Sequence, residues 1–122
     1  YRNLGLISGK EKLMHLQTAN LFISASYSEG FSRALLEAMS TGTPLVYTPV
    51  GAHREVLDSK NGICFIPGDL EALKEGILKL LYDPEVDQIS LTNRKQVEIE
   101  FSLEKICNDF QLILSQTLNA KA

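Results

Sequence analysis

Short apolar runs alternate with longer stretches of helical rhythm along this chain. Asn3-Leu4-Gly5-Leu6-Ile7, Leu21 to Ala25, Leu45-Val46-Tyr47 and Ile63 to Ile66 are too short for helices and predict four buried strands. Ser8 with Glu11 three residues later fits a capping box, and a partly amphipathic helix follows to about Thr18, using Leu13, Met14 and Leu16. Ala34-Leu35-Leu36 with Ala38 and Met39 are good helix formers. That second helix stops at Thr41-Gly42, where glycine suits the left-handed position past a helix end. Thr43-Pro44 then forbids continuation.

Thr48 to Ala52 reads as a loop, His53 to Leu57 as a short helical turn, and Asp58-Ser59-Lys60-Asn61-Gly62 as a turn cluster. Pro67-Gly68 closes the fourth run. Asp69 caps a helix whose buried face is Leu70, Leu73, Ile77, Leu80 and Leu81, and Asp83-Pro84 ends it. A further helix is expected from about Glu85 to Glu98. Phe101-Ser102 breaks it, with Ser102 as the next N-cap. The last helix places Leu103, Ile106, Phe110, Ile113, Leu114 and Leu118 on one face, as core or as a dock for a partner domain. Asn119 to Ala122 are expected to fray.

Strands alternating with helices imply right-handed crossovers and a parallel sheet with helices on both faces. The predicted fold class is therefore α/β, a Rossmann-like three-layer arrangement. Ligands in such sheets bind beyond the carboxyl ends of the strands. Those ends are Ile7-Ser8, Ser26 to Glu29, Thr48 to Ala52 and Pro67-Gly68. Four strands are few for a doubly wound domain, so a truncated one is expected.

Composition narrows the functions. The length of 122 residues suits one domain. A net charge of −3 with no basic cluster argues against nucleic acid as a partner. No apolar run is long enough to span a membrane, and no signal peptide is visible at Tyr1. Cys64 and Cys107 read as buried thiols, Tyr47 and Tyr82 as packing residues. His15 and His53 are too isolated to imply zinc. The expectation is a reduced, cytoplasmic, metal-free domain. The chain opens inside an apparent strand, which reads as a piece of a longer protein.

The candidate chemistry sits between the second strand and the second helix. Strand, glycine-containing turn and helix N-terminus together present free N–H groups and a positive dipole end to an anion. Glu29 lies on that turn and Glu37 inside the helix. Eight helical residues rise roughly 12 Å, so the pair cannot easily grip one atom. It can grip two ends of an extended ligand with an anionic middle, such as a nucleotide diphospho-sugar. The blander alternative is a solvated Glu37 and a capping Glu29.

Five segments in order carry a resemblance. They are Glu29-Gly30-Phe31-Ser32-Arg33-Ala34-Leu35-Leu36-Glu37-Ala38-Met39, Gly42-Thr43-Pro44-Leu45-Val46, Val50-Gly51-Ala52-His53-Arg54-Glu55-Val56, Asn61-Gly62-Ile63 and Pro67-Gly68-Asp69. Together they resemble the C-terminal, donor-binding domain of retaining GT-B-fold glycosyltransferases with the E-x7-E motif. The resemblance implies that residues 1–122 lack the N-terminal acceptor domain and the first part of their own domain. It implies that Glu29 contacts the donor sugar and is the candidate catalytic residue, while Glu37 binds the ribose hydroxyls. Gly30, Phe31 and Ser32 would approach sugar and diphosphate, and Leu6 and Ile7 would border the base. Arg33 departs from the usual apolar residue or Asn; it is a donor-binding candidate as much as a surface residue. Ser32 and Ala52 stand where glycine is common.

The resemblance further implies a nucleotide-diphosphate sugar as partner, no metal or other cofactor, and a hexosyltransferase-type activity that the isolated piece would not show. Any peripheral contact with a membrane's cytoplasmic face would fall to the missing part. His53 and Arg54 read as surface or inter-domain residues, and Glu55 as a loop stabiliser. Two other readings are a GT-B-fold nucleotide-sugar epimerase or non-catalytic nucleotide-sugar-binding module, and a purely structural interaction module.

Overall fold

The computed structural model describes residues 1–119. In chain order the elements are α1 (Gly9–Thr18), β1 (Phe22–Ser24), α2 (Arg33–Ser40), β2 (Leu45–Tyr47), α3 (His53–Val56), β3 (Gly62–Cys64), α4 (Leu70–Leu81), α5 (Val86–Glu100) and α6 (Leu103–Asn119). The three strands form one parallel sheet in the order β1-β2-β3. Phe22, Leu45 and Gly62 lie in register, as do Ser24, Tyr47 and Cys64.

Side chains alternate across β2, so its residues serve two cores. Leu45 and Tyr47 pack with Leu35, Ala38 and Met39 of α2 and with Leu57. Val46 points the other way, against Phe65 and Leu80, with Ile77 and Leu73 of α4 beside them. Helix α5 supplies Val97 to the first core and Ile89 to the second. This is the expected α/β layering. Burial pushes the Tyr47 phenol up to about 12, and the negative charges of Cys64 and Asp58 push the same way.

The helix ends follow their sequence signals. Ser32 caps α2 by accepting from the Leu35 amide at 3.4 Å. Gly42, at φ +79, donates its amide to Met39 at 2.9 Å. Asp69 accepts from the Ala72 amide at 2.9 Å, and Ser102 from the Lys105 amide at 3.2 Å. Ser8 stands at the N-cap of α1, but its side chain makes no capping bond, so the expected box is not formed.

Several expectations need correction. Asn3 to Ile7 is not a strand. Gly5 turns the chain at φ +64, and the Asn3 side chain accepts the Gly5 amide at 2.8 Å, a local turn in place of a ladder. Leu6 is fully exposed as a result. Cys64 and Cys107 are exposed, as are Tyr82, Leu70 and Leu81. Cys64 ends a strand and Leu70 begins a helix, where covering layers thin out. His53 is buried, with 3% of its surface exposed. No residue of α6 is buried; Ile106, Phe110 and Ile113 are each more than half exposed. Residue 119 closes α6, and the rest of the expected frayed tail lies outside the described residues.

Candidate functional site

The three strands end on the same side, and the loops leaving them meet there. Thr48, just past β2, is fully buried and donates its hydroxyl to the Ser26 carbonyl at 2.7 Å. His53 places Nδ1 2.9 Å from the Thr48 carbonyl, while its buried Nε2 has no partner. The Ala52 amide donates to the Gly30 carbonyl at 3.2 Å. Gly51, at φ +53, lies so close that a Cβ there would stand 1.9 Å from the Glu29 carbonyl oxygen. At Gly68, past β3, a Cβ would meet the Tyr27 hydroxyl at 3.2 Å. The loops after β2 and β3 thus back the turn that carries Glu29.

Glu29 is half-buried, and Oε1 accepts the Ser26 hydroxyl at 2.7 Å. Gly30 and Arg33 are exposed, and Ser32 is half-buried. Phe31 is 52% exposed and packs on Phe101 with ring centroids 5.8 Å apart. The first amides of α2 have no intrahelical acceptor, so the turn keeps donors for an anion. Glu37 sits farther along α2, half-buried and paired with Lys12 of α1. It lines a hollow of about 270 Å³. Glu29 is not among the residues lining that hollow, so each carboxylate has its own surroundings. Leu6 and Ile7, placed at the end of an expected strand, lie instead on irregular chain.

A larger concavity, about 950 Å³, runs along α5 past Asp58, Lys60, Thr92 and Gln96 and includes none of these candidates. Among the described residues, no three His, Cys, Asp or Glu side chains converge as a metal site requires. Among the same described residues, no helix is long and apolar enough to cross a membrane. Reading the sequence missed Lys12 and the bracing by Gly51 and His53. Lys12–Glu37 and Gly51–Glu29 join residues far apart in the chain, and no local spacing marks them; His53 reaches only back to Thr48, but its neighbours in sequence give no sign that the ring is buried.

A mixed α/β unit with its polar turns gathered past the strand ends is built to seat a ligand at that edge. Residues 3–96 match the family model described as glycosyl transferases group 1, and the chain belongs to that family. It is 31% identical over 119 residues to the O-antigen chain mannosyltransferase B of Escherichia coli, covering 98% of this chain and 29% of the relative. It is 32% identical over 94 residues to a capsular polysaccharide biosynthesis glycosyltransferase of Staphylococcus aureus, covering 75% of this chain and 25% of the relative. Among solved structures, sucrose-phosphate synthase from Thermosynechococcus elongatus superposes with a TM-score of 0.84 at 26% identity, over 96% of this chain and 30% of that one. The chain spans less than a third of the length of each of these proteins.

Proposed function

We propose that this chain is the donor-binding part of a retaining glycosyltransferase, moving a sugar from a nucleotide-sugar to a glycan, lipid or small acceptor. The observation that carries the reading is the braced turn before α2, with Glu29 on it and Glu37 within the helix it opens. Glu29 serves the donor sugar and is the catalytic candidate. Glu37 takes the ribose hydroxyls. Gly30, Phe31, Ser32 and Arg33 border the sugar and diphosphate. Front-face departure of the diphosphate is eased by the helix N-terminus, whose fixed dipoles need no rearrangement as charge develops. No metal takes part. The complete protein supplies the acceptor side and the remaining phosphate contacts.

The test uses the full-length protein with a panel of nucleotide-sugars, measuring donor affinity by calorimetry and sugar transfer by product analysis. Glu37→Ala is expected to weaken donor binding by about 10- to 100-fold, the loss of hydrogen bonds to a charged group. Glu29→Ala is expected to lower turnover by about 100-fold or more. Unchanged behaviour in both variants defeats the assignment, and an epimerised donor without transfer replaces it with epimerase activity.

A further inference from the structure

The turn before α2 is backed by the loop after β2, and it touches the far end of α5 as well. Residues 25–32 form neither helix nor strand, so tertiary contacts set their shape. Gly51 and Ala52 hold the backbone at Glu29 and Gly30. One residue on, the half-exposed ring of Phe31 meets that of Phe101, with centroids 5.8 Å apart and planes tilted by 46°. Tilted rings at such a spacing attract by more than the area they cover. Phe101 itself holds a firm position. It is the C-cap of α5, and its amide donates to the Val97 carbonyl at 3.0 Å. Val97 packs on the first core, and Gln96 beside it donates to the Val56 carbonyl of α3 at 2.8 Å. Phe101 also lies beyond residues 3–96, the span of the family match. The contact therefore comes from a part of the chain that the family model does not describe.

We propose that Phe101 is a positioning residue: its ring fixes Phe31, and through Phe31 the turn that presents Glu29 to the donor sugar. This rests on the function proposed above. Phe31 is bonded to Gly30 on one side and to Ser32, the cap of α2, on the other. A ring that shifts carries that backbone with it, and the backbone carries Glu29. Gly51 limits the turn from the loop after β2, and Phe101 limits it from α5, so two elements share the restraint. At a reacting centre a displacement of about 1 Å costs far more than at a remote binding contact. The aromatic pair therefore bears on turnover more than on donor affinity. Phe101 acts through Phe31 and not on the donor itself.

The experiment is a double-mutant cycle in the full-length protein, using the nucleotide-sugar from the panel above that supports transfer. Turnover is measured by product analysis and donor affinity by calorimetry. Phe101→Ala is expected to lower kcat by about 3- to 10-fold, the worth of one aromatic pair, and to change donor Kd by less than about twofold. Phe101→Tyr keeps the ring and is expected to restore most of the turnover. Combined with Phe31→Ala, the Phe101→Ala substitution is expected to lower kcat no further than Phe31→Ala alone, because the contact is already gone. A merely structural Phe101 would instead add its full loss to that of Phe31→Ala. Phe101→Ala with wild-type kcat, or a double variant whose loss is the product of the two single losses, overturns the inference alone. If wild type transfers no sugar from any donor of the panel, the inference falls together with the proposed function. Should Phe101→Ala fail to fold, Phe101→Leu carries the same cycle with the same expected and overturning results.

Discussion

Gly51 shows how one missing side chain shapes the candidate site. Its φ of +53 is a conformation that side chains resist, and its open space is already taken by Glu29 and Gly30 backbone. Gly51→Ala must therefore displace the turn that carries Glu29. We expect a stability loss of about 1–3 kcal/mol by urea unfolding, together with lower turnover in the full-length protein. Gly5→Ala is the control. Gly5 has a similar φ of +64, but nothing lies within 4 Å of its added Cβ. Equal effects of the two substitutions would mean that contact with the turn is immaterial. The sequence marks Gly51 as a loop glycine and no more, because the residue it meets lies far off along the chain. Glu29 and Glu37 were visible through their spacing; the Ser26 hydroxyl and Lys12 ammonium that hold them were not.

Among the elements, α5 is anchored by a polar side chain. Asn93 is fully buried, donating to the carbonyls of Thr43 at 3.2 Å and Asn61 at 3.0 Å. Its own oxygen accepts from the Asn61 side-chain nitrogen, Nδ2, at 2.8 Å. The side chain therefore pins α5 to the loop before β2 and to the turn before β3. Asn93→Ala removes the donor to the Thr43 and Asn61 carbonyls, while the Asn61 side chain keeps only its bond to Gln96, and is expected to cost about 1–3 kcal/mol in chemical unfolding. A loss below a few tenths would show that water replaces the side chain freely. Helix α5 was legible as a helix, but an Asn gives no sign in sequence of facing inward. For α6 the reverse holds. Its apolar stripe was plain, yet periodicity tells which residues share a face and not what covers them, and here that face is open.

Across the whole molecule, the alternation of strands and helices was enough to predict a parallel sheet with helices on both faces. The glycine, proline and cap residues placed most element ends. The expected first strand failed because a strand exists through its neighbour, and a five-residue apolar run carries no information about pairing. Tyr47, on the central strand, packs as expected, but Tyr82 and the two thiols are exposed for a related reason: with three strands of three residues each, few positions are deep enough to be covered on all sides. The family match covers residues 3–96, and the chain spans 29% of the length of the Escherichia coli relative.

The Asn61-Gly62 pair bears on how the protein ages. Such dipeptides deamidate readily in loose chains, because the following amide nitrogen attacks the side-chain carboxamide and closes a succinimide ring. In the fold, Asn61 is 2% exposed, and its nitrogen donates to Asn93 at 2.8 Å and to Gln96 at 2.7 Å. Ring closure must wait for that clasp to open. Isoaspartate at this position, followed by peptide mapping during storage, is therefore expected to build up slowly in wild type and faster once Asn93 is replaced. Equal rates in the two proteins would mean that the clasp gives no protection.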